Sequence, residues 1–154
     1  ENKQIEVFLQ CAQPENSLEY RRTAAAAFAS FTLHEKNKTL LIQANAVPAI
    51  LTLLIQDDLA IQRDAAFALA NLSDAPELQA DLVREGTLVI IKDMSLKSTD
   101  VRVQRDLARC YANLAQTEDV RQQILQSHSL PAILNLAKSL DSASQLYATL
   151  TLCN

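Results

Sequence analysis

The sequence is poor in the residues that reverse a chain. One glycine, Gly86, and four prolines serve 154 residues, too few for the tight turns of a sheet protein or for a glycine-rich phosphate loop. Tryptophan is absent and aromatic residues make up 5%. Two histidines and three cysteines are too scattered to form a metal-ligand cluster, and neither a metal nor a cofactor is expected. The cysteines Cys11, Cys110 and Cys153 are odd in number, which speaks against a disulfide framework and for free thiols in a reducing compartment. No apolar run approaches the ~18 residues that cross a bilayer, and no charged-then-apolar leader opens the chain. A net charge of −4 leaves no overall positive field for nucleic acid or anionic lipid.

What is present is helical. Hydrophobic residues make up 49%, and alanine, leucine, glutamine and charged residues, all strong helix formers, predominate. The fold class expected is all-α. One helix is used repeatedly: Gln62 to Ser73 (QRDAAFALANLS) returns forty-two residues later as Gln104 to Ala115 (QRDLARCYANLA). Arg21 to Thr32 (RRTAAAAFASFT) precedes it by forty-one, and a blurred copy closes the chain at Gln145 to Asn154. Self-similarity at this period marks a stacked-repeat solenoid.

In chain order, Lys3 to Gln13 reads as a helix with Ile5, Phe8, Leu9 and Ala12 on one face, and Ser17 to Leu33 as a serine-capped helix burying Tyr20, Ala24, Ala27, Phe28 and Phe31. A three-helix unit then recurs: Glu35 to Ala44, Val47 to Gln56 and Ala60 to Ser73; Pro76 to Glu85, Leu88 to Lys97 and Val101 to Ala115; Val120 to Ser127, Leu130 to Leu140 and Ser144 to Asn154. Asn45, Gly86 and His128 fall at the same break, where the backbone turns left-handed. The extra residue of the second spacing is expected near Leu96 to Asp100, in a loop. The division is residues 1–33 as the last two helices of a partial unit, then 34–73, 74–115 and 116–154. Neither end resembles a polar cap, so a longer parent chain is expected.

At 100° per residue, Ile61, Ala65, Ala68, Leu69 and Leu72 form the packing arc of the long helix, and Arg63, Phe67, Ala70 and Asn71 the opposite one. The next copy buries Val103, Leu107, Cys110, Tyr111 and Leu114 and exposes Arg105, Arg109, Ala112 and Asn113. The first exposes Arg22, Ala26 and Ser30; the last carries Leu146, Leu150 and Asn154. Stacked, these faces give a groove with Arg22, Arg63, Arg105 and Arg109 along one edge and Ser30, Asn71, Asn113 and Asn154 along its floor.

The stretches NAVPAILTLL followed by QRDAAFALANLS, and HSLPAILNLA followed by SQLYATLTLCN, resemble the armadillo repeat of β-catenin, plakophilins and importin-α, over nearly the whole chain. The resemblance implies a right-handed solenoid of three helices per repeat of about 42 residues, with a HEAT-like array as the alternative. It implies a protein-binding scaffold in which the third helices line a concave surface and Asn71, Asn113 and Asn154, with Ser30 as a weaker substitute, hold the backbone of an extended peptide. A carboxamide suits this, since it donates and accepts at once. Where importin-α carries the tryptophans that receive lysines, this chain has Ala26, Phe67, Arg109 and Leu150, which points to an acidic or phosphorylated ligand, as in the β-catenin branch, and away from nuclear import.

Two plainer readings stand beside these. The arginines could be solvated, paired with the adjacent Asp64 and Asp106, and the asparagines could bond neighbouring repeats. A purely structural scaffold, associating end to end through Ile5, Phe8, Leu150 and Leu152, is the alternative function. Cys110 and His128 lack an aligned third group, and His34-Glu35 lacks a second histidine, so catalysis is not expected. The expected location is cytoplasmic, or nuclear or membrane-associated through regions outside this segment.

Overall fold

The computed structural model describes residues 2–154, which form eleven helices and no strand among the described residues. After α1 (Asn2–Cys11) and α2 (Leu18–Phe31) come α3 (Glu35–Gln43), α4 (Val47–Leu54) and α5 (Leu59–Ser73). The same order of short, second and long helix recurs as α6 (Pro76–Arg84), α7 (Thr87–Lys97) and α8 (Val101–Leu114), and as α9 (Glu118–Gln126), α10 (Leu130–Ala137) and α11 (Ser142–Cys153). No described helix is long and apolar enough to cross a membrane.

Local chemistry fixes the boundaries. Asn45, Gly86 and His128 have φ of 54°, 87° and 54°, the positive values among the described residues, and each ends a short helix. At Asn45 the left-handed residue lets the Ala46 N–H reach back to the Leu41 carbonyl at 2.9 Å and the Asn45 N–H to Ile42 at 2.9 Å, closing carbonyls the helix leaves open. Pro48, Pro76 and Pro131 sit in first turns, where no N–H is needed. Each long helix starts on a side-chain cap: Ser17, Asp58, Asp100 and Asp141 accept from backbone N–H groups of the following turn.

Like elements stack on like. The long helices run α2, α5, α8, α11 as neighbours, the second helices α4, α7, α10 form another row, and α3, α6, α9 a third. The core lies between the first two rows, where Ile50, Leu53, Leu54, Ile61, Leu69, Leu72, Ile91 and Tyr111 are fully buried. Phe8 packs edge-on against Phe28 and Phe31 with centroids 5.9 and 5.7 Å apart, fixing α1 to α2.

The expected packing arcs of α5 and α8 are buried throughout, but the opposite arcs need correction. Ala70 and Ala112 are buried, and Asn71 is only 8% exposed. A single-face projection allows for one neighbour, whereas each inner long helix packs on second helices beneath it and also on a long helix on either side. Tyr20 departs the other way. It holds the position of the buried Ile61 and Val103, yet is 59% exposed, because α2 has a long-helix neighbour on one side only. Ala27 and Phe31 are half-buried. The extra residue of the second unit lengthens α7, which has 11 residues where α4 and α10 have 8, and does not swell the loop.

Candidate functional site

The face lined by the long helices is crossed by two ladders of bonds between units. In the first, an arginine near the start of one long helix grips the cap of the next. Arg22 pairs with Asp58 (Nη2–Oδ2 2.6 Å, Nε–Oδ2 3.2 Å), Arg63 with Asp100 (Nη2–Oδ2 2.6 Å, Nε–Oδ1 3.2 Å) and Arg105 with Asp141 (Nε–Oδ2 3.1 Å). The forked guanidinium matches the carboxylate in each case. The aspartate side chains are 12–13% exposed and also accept from the backbone N–H groups of Ile61, of Arg102 and Val103, and of Ser144. Hydrogen bonding from the arginine, joined by those backbone donors, holds all three carboxyls below the ordinary carboxylate range against the opposing pull of burial.

The second ladder uses the asparagines. The Asn71 side-chain amide donates to Thr32 Oγ1 at 3.1 Å, and that of Asn113 donates to Ser73 Oγ at 3.1 Å and to the Ala70 carbonyl at 3.2 Å. Thr32 and Ser73 hold the same position at the end of successive long helices. Each in turn donates to its own helix, at Ala29 and Ala70. Ala115 stands where the next hydroxyl would be, and the exposed Asn154 makes no side-chain bond of this kind. Below these, Gln62, Gln104 and Gln145 each donate to a carbonyl of the connection before their helix, at Gln56, Ser98 and Ser139.

Between α5, α8 and α11 the face opens into a cleft of about 410 Å³ lined by Phe67, Arg102, Arg105, Asp106, Arg109 and Tyr147. The Arg109 guanidinium lies over the Phe67 ring, 5.3 Å from its centroid, and donates to Asn71 Oδ1 at 3.0 Å, with Asp106 Oδ1 at 3.3 Å. Burial pushes the Asp106 carboxyl up despite the arginines at 105 and 109, and pushes Asp64 up as well. Burial drives the Cys110 thiol to about 12, too high for a nucleophile at neutral pH.

Residues 34–74 match the family model of the Armadillo/beta-catenin-like repeat. An engineered protein of known structure superposes with a TM-score of 0.85 at 27% identity, over 97% of this chain and 61% of its own length. A computationally designed armadillo repeat protein for modular peptide recognition matches with a TM-score of 0.85 at 22% identity, over 99% of this chain and 68% of that one. The fold is an armadillo solenoid. A designed armadillo repeat protein in complex with the peptide (KR)4 has it too, with a TM-score of 0.83 at 21% identity, over 98% of this chain and 67% of that one. The chain therefore spans about 61% of the first of these structures. No curated protein matches the sequence. Distinct short helices α3 and α6 separate this armadillo stack from a HEAT array.

Within the armadillo stack the expected site residues divide. Phe67, Arg105 and Arg109 line the cleft, and the buried Asn71 stands behind it, accepting from Arg109. Arg22 and Arg63 are engaged with caps of the next unit, Asn113 with the preceding long helix, while Ser30 and Asn154 are exposed and stand apart. The expected pairing of the arginine row with Asp64 and Asp106 holds for Arg109 alone, which reaches Asp106 one turn back; Arg22, Arg63 and Arg105 turn to the caps, because adjacent residues on a helix point apart whereas the cap of the next helix faces the guanidinium. Arg102 and Tyr147 complete the cleft and were not singled out by the sequence. Arg102 lies within a turn of the cap and Tyr147 in the blurred fourth copy, so neither repeats visibly.

Proposed function

We propose that the chain is a non-enzymatic protein-binding scaffold that holds an extended acidic or phosphorylated peptide of a partner along the long-helix face, centred on the cleft between α5, α8 and α11. The solenoid is read as a partial repeat over residues 1–33 followed by repeats at 34–73, 74–115 and 116–154. The observation that carries the ligand's charge is the convergence of Arg102, Arg105 and Arg109 on one 410 Å³ cleft. Arg105 is paired with Asp141, and Arg109 with Asp106 and Asn71, which leaves the exposed Arg102 as the cation most open to a ligand carboxylate or phosphate. Phe67 and Tyr147 offer apolar surface beside it. Ser30 and Asn154 remain open to peptide backbone, while Asn71 and Asn113 reach it only with the acceptor capacity their bonds leave over. A reducing, cytoplasmic setting fits three unpaired thiols.

The designed relative takes (KR)4; the arginines here set the opposite preference. Fluorescence anisotropy with labelled (DE)4 and (KR)4 peptides tests it. The acidic peptide binds more tightly, and Arg102→Glu weakens it by about tenfold or more, the loss of one well-placed charge contact. Equal affinity for both peptides, or tighter (KR)4 binding, overturns the proposal. The two ladders support a second reading for one part of it: Arg22, Arg63 and Asn113 recur because they join units, whether or not a ligand is present.

A further inference from the structure

Beside the Arg63–Asp100 rung, a groove of about 760 Å³ lies between the α4–α5 connection with the start of α5 and one side of α7 with the connection that follows it. We propose that this groove is a second docking site, which takes a short aliphatic segment flanked by lysine or arginine from a partner protein. Its apolar lining is accessible on one side, where Ile55 is 54% and Leu59 45% exposed, with the half-buried Ile90 and the buried Met94 opposite them on α7. Ile90, Asp93, Met94 and Lys97 recur at helical spacing, so α7 turns one continuous side to the groove.

Charge selects the occupant. Asp57 and Asp93 stand on opposite walls of the groove, and neither carboxylate has an ion pair or a side-chain hydrogen bond among the described residues. Asp100 is neutralised by Arg63, and Lys97 is the single cation in the lining among the described residues. The excess is acidic, the reverse of the arginine cleft. A segment with aliphatic side chains between cationic ones covers the exposed isoleucine and leucine and meets both carboxylates.

The acidity belongs to this groove and not to the repeat. One unit earlier, Pro14, Ala49 and Thr52 hold the positions of Ile55, Ile90 and Asp93, and the space there, about 460 Å³, has no charged residue in its lining among the described residues. The single residue that breaks the array's spacing also falls in this unit, where α7 runs to Lys97 and extends the wall. The opposing wall is held in place: Gln62 Nε2 donates to the Gln56 carbonyl at 2.7 Å, and Arg21 Nη1 donates to Gln56 Oε1. A preformed groove loses little entropy on filling.

The test is an amide ¹H–¹⁵N titration with the peptides Ac-KLLKLLK-NH2 and Ac-ELLELLE-NH2. The lysine peptide is expected to give saturable shifts confined to residues 55–62 and 90–100, at least tenfold tighter than the glutamate peptide, and Asp57→Lys with Asp93→Lys to reverse that order. Because both aspartates are solvent-facing and unbonded, the double variant keeps the fold, which the unchanged dispersion of its spectrum verifies. Arg102→Glu, which strikes the cleft, leaves this binding as it is, so failure at one site is distinguishable from failure at the other. Absence of saturable shifts, shifts centred on Phe67 and Arg109, or an order unmoved by charge reversal overturns the proposal.

Discussion

Replacing Asn71 with alanine separates the two roles open to that side chain. Its amide donates to Thr32 Oγ1 at 3.1 Å and its carbonyl accepts from Arg109 at 3.0 Å, in a site 8% exposed. A net hydrogen bond contributes about 1 kcal/mol, and one from a charged donor somewhat more. Thr32 keeps its bond to Ala29 and Arg109 keeps Asp106 and the Phe67 ring, so neither partner is orphaned and the lower end of the range applies to both. The expected loss is about 2 kcal/mol, or roughly 6 °C in Tm for a chain of this size. Urea unfolding followed by far-ultraviolet circular dichroism measures it, since no tryptophan is present to report by fluorescence. Thr32→Val removes the same rung from the other side, and the pair in a double-mutant cycle should couple by about 1 kcal/mol. In a solenoid each unit touches only its neighbours, so faster amide exchange is expected to concentrate at the α2–α5 contact. A loss within about 0.5 kcal/mol of zero, the range of an uninvolved surface site, would falsify the assignment to stacking, and abolished peptide binding beside it would restore the carboxamide to the ligand.

Gly86 has φ of 87° and open space where a Cβ would go, so Gly86→Ala carries backbone strain without a clash: about 1 kcal/mol less stable by thermal melting. His128→Gly removes the same strain at φ 54° and is expected to raise the Tm. Asp58, Asp100 and Asp141 have pKa values depressed in the folded state. Their contribution is therefore complete above the unfolded aspartate value and lost as pH falls through the folded one; the urea midpoint should drop below pH ~4, less steeply in Asp100→Asn, which still caps the helix. Asp64 is shifted up by burial, so its ionised form weighs against folding at neutral pH and Asp64→Asn should raise the midpoint. A thiol reagent is expected to label Cys153 quickly and Cys11 more slowly in the native protein, and the buried Cys110 only on unfolding.

Helices and their phase were legible because their signals are local. The left-handed breaks at Asn45, Gly86 and His128, the prolines of first turns and the apolar arc of Ile61, Ala65, Ala68, Leu69 and Leu72 each follow from a few adjacent residues. The bonds between units were harder to read. Projecting one helix places Asn71 opposite the core, and only the approach of α2 and α8 from either side buries it. The arginine partners were written in the sequence, since Arg22 and Asp58, Arg63 and Asp100, and Arg105 and Asp141 keep a nearly constant separation. The adjacent Asp64 and Asp106 drew the reading because they follow the arginines directly. Of the cleft, Phe67, Arg105 and Arg109 could be found from their shared stripe, whereas Tyr147 had no recurring counterpart to mark it.

The arginine-held caps give the stack a polarity. Asp58, Asp100 and Asp141 each start one helix while being steadied by a guanidinium from the unit upstream. Damage to an arginine thus surfaces in its neighbour: Arg22→Gln should leave α2 intact and fray the opening turn of α5, visible as faster amide exchange at Ile61 and Gln62. Information about order travels down the chain from each guanidinium to the following helix. A lost carboxylate loosens its own helix directly and reaches the unit before it only through a freed arginine.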